Sequence, residues 1–282
     1  MLKLFLLILL FVPSTVLATT FWEDEMETGT PFASSSNFLT NLSQTVSGRP
    51  PVMEIDTTIK HSGTGSFRLN YYSNCQNSIP QGQCGGAAAR QYTTPTSAAY
   101  HRAWLRISGD TNQGATIGSA GGAFQTYQHA YTKLFENVGT GATTPPRSWL
   151  IFGNASITAK NMSVSAENAG DGGGVQTVPV AFSIPDNTWV CIETFQQMNS
   201  ASATPDGIFR VWINEVLSGE RTDIRWRTAT GSQWTEFEIF RQGGYGNMWW
   251  DQLAAGDTRI GCGSTPPQDI TNPNPPTGLT AQ

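Results

Sequence analysis

The sequence predicts an all-β protein, two antiparallel sheets packed as a sandwich, and three observations carry that prediction. Charged residues make up only 13% of the chain, whereas Gly accounts for 29 of 282 residues and aromatics for 11%. That composition disfavours helix and suits short strands joined by turns. From Phe21 to Cys262, clusters of turn-forming residues alternate with short β-branched and aromatic runs, as an antiparallel sandwich requires. No segment holds a helical apolar period over three turns.

The clearest strand runs are Gly65–Tyr72, Tyr100–Ile107, Tyr131–Asn137, Ser148–Phe152, Trp189–Met198, Ile208–Asn214 and Glu236–Phe240. Side chains alternate across a strand, so Tyr100, Arg102, Trp104 and Arg106 are expected on one face. His101, Ala103, Leu105 and Ile107, mostly apolar, are expected against the core. By the same parity Arg210, Trp212 and Asn214 oppose the apolar set Phe209, Val211 and Ile213.

Residues 1–18 have the form of a secretory signal: a cation at Lys3, an apolar run from Leu4 to Val12, and Val16-Leu17-Ala18 as a small-residue cleavage site. The run is too short to span a bilayer, and no later stretch approaches the roughly 20 apolar residues a spanning helix needs. The expectation is a secreted or periplasmic, monomeric protein with one sandwich domain over 19–264. The Pro-rich, polar stretch 265–282 is expected to be an extended tail. Formal net charge is −5, which argues against a nucleic-acid partner.

The cations are twelve Arg against four Lys, and a guanidinium fork suits carboxylate or sulfate. Pairing with structural carboxylates is the plainer account of the same residues. The four cysteines, Cys75, Cys84, Cys191 and Cys262, suit two disulfides in an oxidising compartment, with three connectivities open. Cys75–Cys84, stapling a polar loop, and Cys191–Cys262, tying an interior strand to the last one, are preferred. Zinc is disfavoured by the absence of a C-x2-C pair. N-x-S/T sequons stand at Asn41, Asn154 and Asn161.

Five stretches, in order, carry a resemblance: FWEDEMETG at Phe21–Gly29, KHSGTGSFRLNY at Lys60–Tyr71, AAYHRAWLRIS at Ala98–Ser108, WVCIETFQQMNSASATPDGIFRVWINE at Trp189–Glu215 and WWDQLAAGDTRIG at Trp249–Gly261. Together they resemble concanavalin A-like jelly rolls, in particular polysaccharide lyases of the alginate, glucuronan and heparin type. Such sandwiches carry W-x-x-x-E, a D-G turn, and a strand ending W-x-N-G; here Glu215 stands where Gly is usual. The resemblance implies a structural Ca²⁺ between the opening and late strands, with Glu27 and Asp251 as ligands, oxygen donors of the hard type Ca²⁺ prefers.

The resemblance also implies an acidic polysaccharide as partner and β-elimination at uronate residues as the reaction. That chemistry needs a group to neutralise the carboxylate, a base for the C5 proton and an acid for the leaving oxygen. Gln125, Tyr127, His129, Tyr131 and Lys133 alternate and could supply them, with Lys133 or His129 as base, Tyr131 or Tyr127 as acid, and Gln125 with Arg102 as neutralisers. Tyr100, Arg102, Trp104, Arg106, Arg210 and Trp212 are the substrate-binding candidates, because rings stack on pyranose faces and guanidinium holds carboxylate. Arg102, Trp104, Lys133 and Arg210 are expected to converge on one open sheet. A non-catalytic carbohydrate-binding module and a structural surface protein are the competing readings, since fold alone does not fix activity.

Overall fold

In a computed structural model, residues 20–26, 38–41, 52–71, 85–108, 132–140, 146–152, 161–167, 176–202, 204–227, 231–242 and 246–263 are described. They form fifteen strands and, among the described residues, no helix. In chain order the strands are β1 Thr20–Asp24, β2 Phe38–Asn41, β3 Val52–Asp56, β4 Ser66–Tyr71, β5 Gly85–Thr96, β6 Ala98–Ile107, β7 Thr132–Gly139, β8 Arg147–Phe152, β9 Asn161–Glu167, β10 Gln176–Ser183, β11 Val190–Gln197, β12 Gly207–Ile213, β13 Val216–Ile224, β14 Trp234–Gln242 and β15 Gly246–Gly256.

They build two antiparallel sheets. The eight-stranded sheet runs β13-β12-β11-β6-β15-β4-β3 with β1 also paired to β15, and the seven-stranded sheet runs β10-β9-β8-β7-β14-β5-β2. The core lies between them. β12 alternates strictly, with Phe209, Val211 and Ile213 buried and Ile208, Arg210 and Trp212 only half-buried. β6 sends Ala103, Leu105 and Ile107 into the same core, as its parity predicts. Facing them from the second sheet are Phe135, Phe237 and Ile239, and rings such as Phe135 and Trp250 pack 4.9 Å apart.

The hairpin between β12 and β13 turns through Asn214 and Glu215, both at positive φ (47° and 71°), the backbone that a two-residue hairpin needs for strands to keep their twist. The sequence has no Gly there, so Glu215 carries a conformation that an L side chain adopts at a cost. Asn214 Oδ1 accepts the N–H of Cys191 at 3.0 Å, which ties the turn to β11.

Among the described residues, a polar contact links the two sheets inside the core. The Tyr92 hydroxyl of β5 meets Nε2 of His101 of β6, and Asn137 donates to Ser148 Oγ at 3.2 Å beside it. Burial pushes the His101 imidazole down to about 3 and the Tyr92 phenol well up, so both groups are neutral at neutral pH. Unfolded histidine takes a proton below about 6.5, so the native state loses stability to this residue as pH falls from there toward 3. Denaturant titrations of the chain and a His101→Gln variant at pH 7.5 and pH 5, values chosen on either side of about 6.5, are expected to show the stability gap narrowing at the lower pH. A gap independent of pH would contradict the buried neutral imidazole.

Candidate functional site

The candidate site is the outer face of the eight-stranded sheet, where register lines up the side chains that point away from the core. Tyr100 of β6 stands opposite Phe195 of β11, which stands opposite Arg210 of β12 and then Glu220 of β13. The next rung is Arg102, Glu193, Trp212 and Leu217. A third places Trp104 between Cys191 and Asp251, and a fourth runs Arg106, Trp249, Arg68 and Glu54. The predicted β6 face is therefore real, with Tyr100, Arg102, Trp104, Arg106, Arg210 and Trp212 all on it.

Half of that face is closed rather than open. The H-S-G stretch after β3 folds back over it, and the His61 ring stacks on Trp104 with centroids 3.7 Å apart, its edge toward Trp189. Trp104 is left only 4% exposed, so the expectation of an open stacking plate fails there. What holds the loop down is Asp251, fully buried, whose Oδ2 accepts the N–H groups of His61 at 2.8 Å and Ser62 at 3.2 Å. Its Oδ1 accepts the N–H of Gln252 at 2.8 Å, at a bulge where Gln252 has φ 46°. Asp56 anchors the loop's start, accepting from Thr58, Ile59 and the Trp249 indole.

Burial pushes the Asp251 carboxyl up to about 7 against the pull of its three amide donors. The His61 imidazole is pushed down to about 4, mainly by burial and also by the Arg102 charge, with the Gln252 side chain acting in the opposite direction. Asp251 was expected to ligate Ca²⁺ with Glu27. Its position is accounted for by the amides it binds, Glu27 lies outside the described residues, and among the described residues no group of three His, Cys, Asp or Glu could hold a metal ion.

Arg102 is also covered: it is 7% exposed, with Nη2 on Glu23 Oε1 at 2.6 Å and Nε on the Gln252 carbonyl at 3.1 Å. Arg210 pairs with Glu220 at 2.5 Å and Arg68 with Glu54. The plainer account of the arginines, pairing with structural carboxylates, is the one observed for these three.

The open half lies over β6, β11 and β12. The half-buried Tyr100 ring packs 4.5 Å from the buried Phe195 ring and lies 6.1 Å from the half-buried Trp212 ring. Arg210 lies 6.0 Å over Phe195 and Arg259 lies 4.9 Å over Trp212, while Leu217 beside Trp212 is 48% exposed. The segment after β15 borders these rings. Glu193, fully buried, accepts the N–H groups of Ile260 at 2.6 Å and Gly261 at 3.2 Å and the Arg259 Nε at 3.1 Å. Cys262 closes the predicted disulfide with Cys191, and Glu215 accepts Cys262 N–H and Arg259 Nη2.

Lys133 belongs to β7 of the seven-stranded sheet, so it does not share a sheet with Arg102, Trp104 and Arg210, and the expected convergence is not met. Gln125, Tyr127, His129 and Tyr131, like Cys75 and Cys84, lie outside the described residues. Glu193, Phe195 and Arg259 escaped the sequence reading as site residues. The signal was present in the disulfide, since Cys191 is two residues from Glu193 and Cys262 three from Arg259.

No protein-family model and no curated protein matches this chain. Among solved structures, an endo-β-1,4-glucuronan lyase from the fungus Trichoderma reesei superposes with TM-score 0.60 at 10% identity, covering 85% of this chain and 96% of that one. A PL-14 alginate lyase from Aplysia kurodai superposes with TM-score 0.59 at 10% identity, covering 84% and 99%. The fold is a concanavalin A-like jelly roll. At this identity the likeness is one of fold, and a fold does not by itself fix an activity.

The geometry of the closed half gives a direct test. Asp251→Ala leaves two loop amides without their acceptor, each worth about 1–3 kcal/mol when buried and unsatisfied. Thermal unfolding is expected to show a clear loss of stability, and acrylamide quenching of tryptophan fluorescence to increase as Trp104 is uncovered. Unchanged quenching would mean that Asp251 does not hold His61 over Trp104.

Proposed function

We propose that this chain is an exported protein that binds a polysaccharide along the open half of the outer face of the eight-stranded sheet. The observation that carries the reading is the pair of half-buried rings Tyr100 and Trp212, joined by the buried Phe195 on the strand between them and flanked by the guanidinium groups of Arg210 and Arg259. Aromatic faces accept the C–H faces of sugar rings, and fixed polar groups at their edges supply orientation. The Cys191–Cys262 disulfide supports export, because such bonds persist in oxidising compartments.

The finer reading is that the polysaccharide is a uronate chain and that the protein cleaves it by β-elimination. Its support is the shared fold with a glucuronan lyase and an alginate lyase over nearly the whole of each. Against an acid-specific groove stands the pairing of Arg102 with Glu23, Arg210 with Glu220, and Arg259 with Glu193 and Glu215, which leaves little uncompensated positive charge to attract carboxylates.

Calorimetric titration with glucuronan, alginate and neutral β-glucan oligosaccharides tests binding, and ultraviolet absorbance of the unsaturated product tests cleavage. Tyr100→Ala is expected to weaken binding about tenfold, the loss of one stacking contact of roughly 1.4 kcal/mol. Binding without product favours a non-catalytic module. Undiminished binding by the variant would remove the ring pair from the site.

A further inference from the structure

The segment 257–263, which follows β15, is held by three separate anchors. Its anchor is Glu193, a fully buried carboxylate that takes two backbone N–H groups and one guanidinium N–H from it. The second anchor is Glu215, which keeps a positive φ of 71° at a turn position suited to Gly and uses its carboxylate to bind Arg259 Nη2 and Cys262 N–H. The third is covalent, Cys191–Cys262. Strained backbone persists where the surroundings gain from it, and what all three anchors fix in common is Arg259.

Arg259 lies 4.9 Å over the Trp212 ring. Its bonds to Glu193 and Glu215 use Nε and Nη2, and among the described residues its Nη1 takes no bond, while the side chain is 41% exposed. A guanidinium held by its other edge offers two N–H donors in a fixed plane at the border of the ring pair. One positive charge against two carboxylates leaves the group net negative. A uronate carboxylate brought to Nη1 would meet that excess, whereas a hydroxyl oxygen would accept the same hydrogens without the repulsion.

We propose that Arg259 is a specificity-determining residue of the glycan face, donating from Nη1 to ring hydroxyls rather than to a carboxylate, and that Glu193, Glu215 and the Cys191–Cys262 disulfide are its positioning groups. The proposal rests on the glycan-face reading and deepens it. Recognition of the sugar at this end is by hydroxyl pattern, so it is shared by acidic and neutral units that present the same hydroxyls.

The test is calorimetric titration of the intact chain with a glucuronan tetrasaccharide and its carboxyl-reduced, neutral counterpart. Both are expected to bind, and Arg259→Ala to weaken both by the same factor, about tenfold. Arg259→Lys is expected to fall nearly as far, because an ammonium cannot keep the planar geometry. Glu215→Gly, which relieves the positive φ, is expected to leave the melting temperature undiminished while still lowering affinity, a split that a purely structural role does not produce. A loss confined to the acidic oligosaccharide, or binding of that one alone, overturns hydroxyl reading. Unchanged affinity in Arg259→Ala together with a loss in Tyr100→Ala removes Arg259 from the site and leaves the face standing. Failure of the unsubstituted chain to bind either sugar takes away the face and the inference together.

Discussion

A carboxylate taken out of water has to be met by donors, since an unpaired buried charge costs several kcal/mol, roughly the whole margin by which a domain is stable. Two such groups, Asp251 and Glu193, stand fully buried on the outer face of the eight-stranded sheet. Each is met mainly by backbone N–H groups of a segment outside that sheet, residues 61–62 for Asp251 and residues 260–261 for Glu193. That requirement shapes the face. Satisfying Asp251 brings His61 down over Trp104 and closes one half, and satisfying Glu193 lays the last described segment along the border of the other half. What is left between them is the half-buried pair Tyr100 and Trp212, with the buried Phe195 on the strand between them.

Much of this was legible in the sequence, and for identifiable reasons. Strand parity placed Tyr100, Arg102, Trp104 and Arg106 on one face because the core set opposite them is apolar except for His101, and His101 is accommodated as a neutral imidazole hydrogen-bonded to Tyr92. The Cys191–Cys262 pairing followed from tying an interior strand to the last one. Parity could not reveal that Trp104 is covered, because the cover comes from a loop after β3, about forty residues earlier, and is held by an aspartate about 150 residues later. Nor could it assign strands to sheets: β6 and β7 follow each other in the chain yet belong to different sheets, which separates Lys133 from Arg102. The W-x-x-x-E stretch and the RIG end of Trp249–Gly261 stand far apart in the sequence, and the structure joins them, Glu193 to Arg259, Ile260 and Gly261.

The arginines illustrate how one residue type serves two ends. A guanidinium is equally able to bind a ligand carboxylate and to satisfy a neighbour's. On this face neighbouring carboxylates hold Arg68, Arg102, Arg210 and Arg259, so composition overstated the cationic character available to a partner. In the open half Tyr100 and Trp212 stay half-buried, with Arg259 4.9 Å over Trp212, and aromatic surface beside fixed donors is the usual character of a sugar site.

Hydrogen–deuterium exchange with and without a bound oligosaccharide tests most directly whether the open half of this face is where a glycan lies. Slower exchange in the peptides covering 98–102, 193–197, 210–213 and 259–262, with β8 and β9 of the seven-stranded sheet unchanged, is the expected result. Protection confined to the seven-stranded sheet, with those four stretches unaltered, would contradict the account.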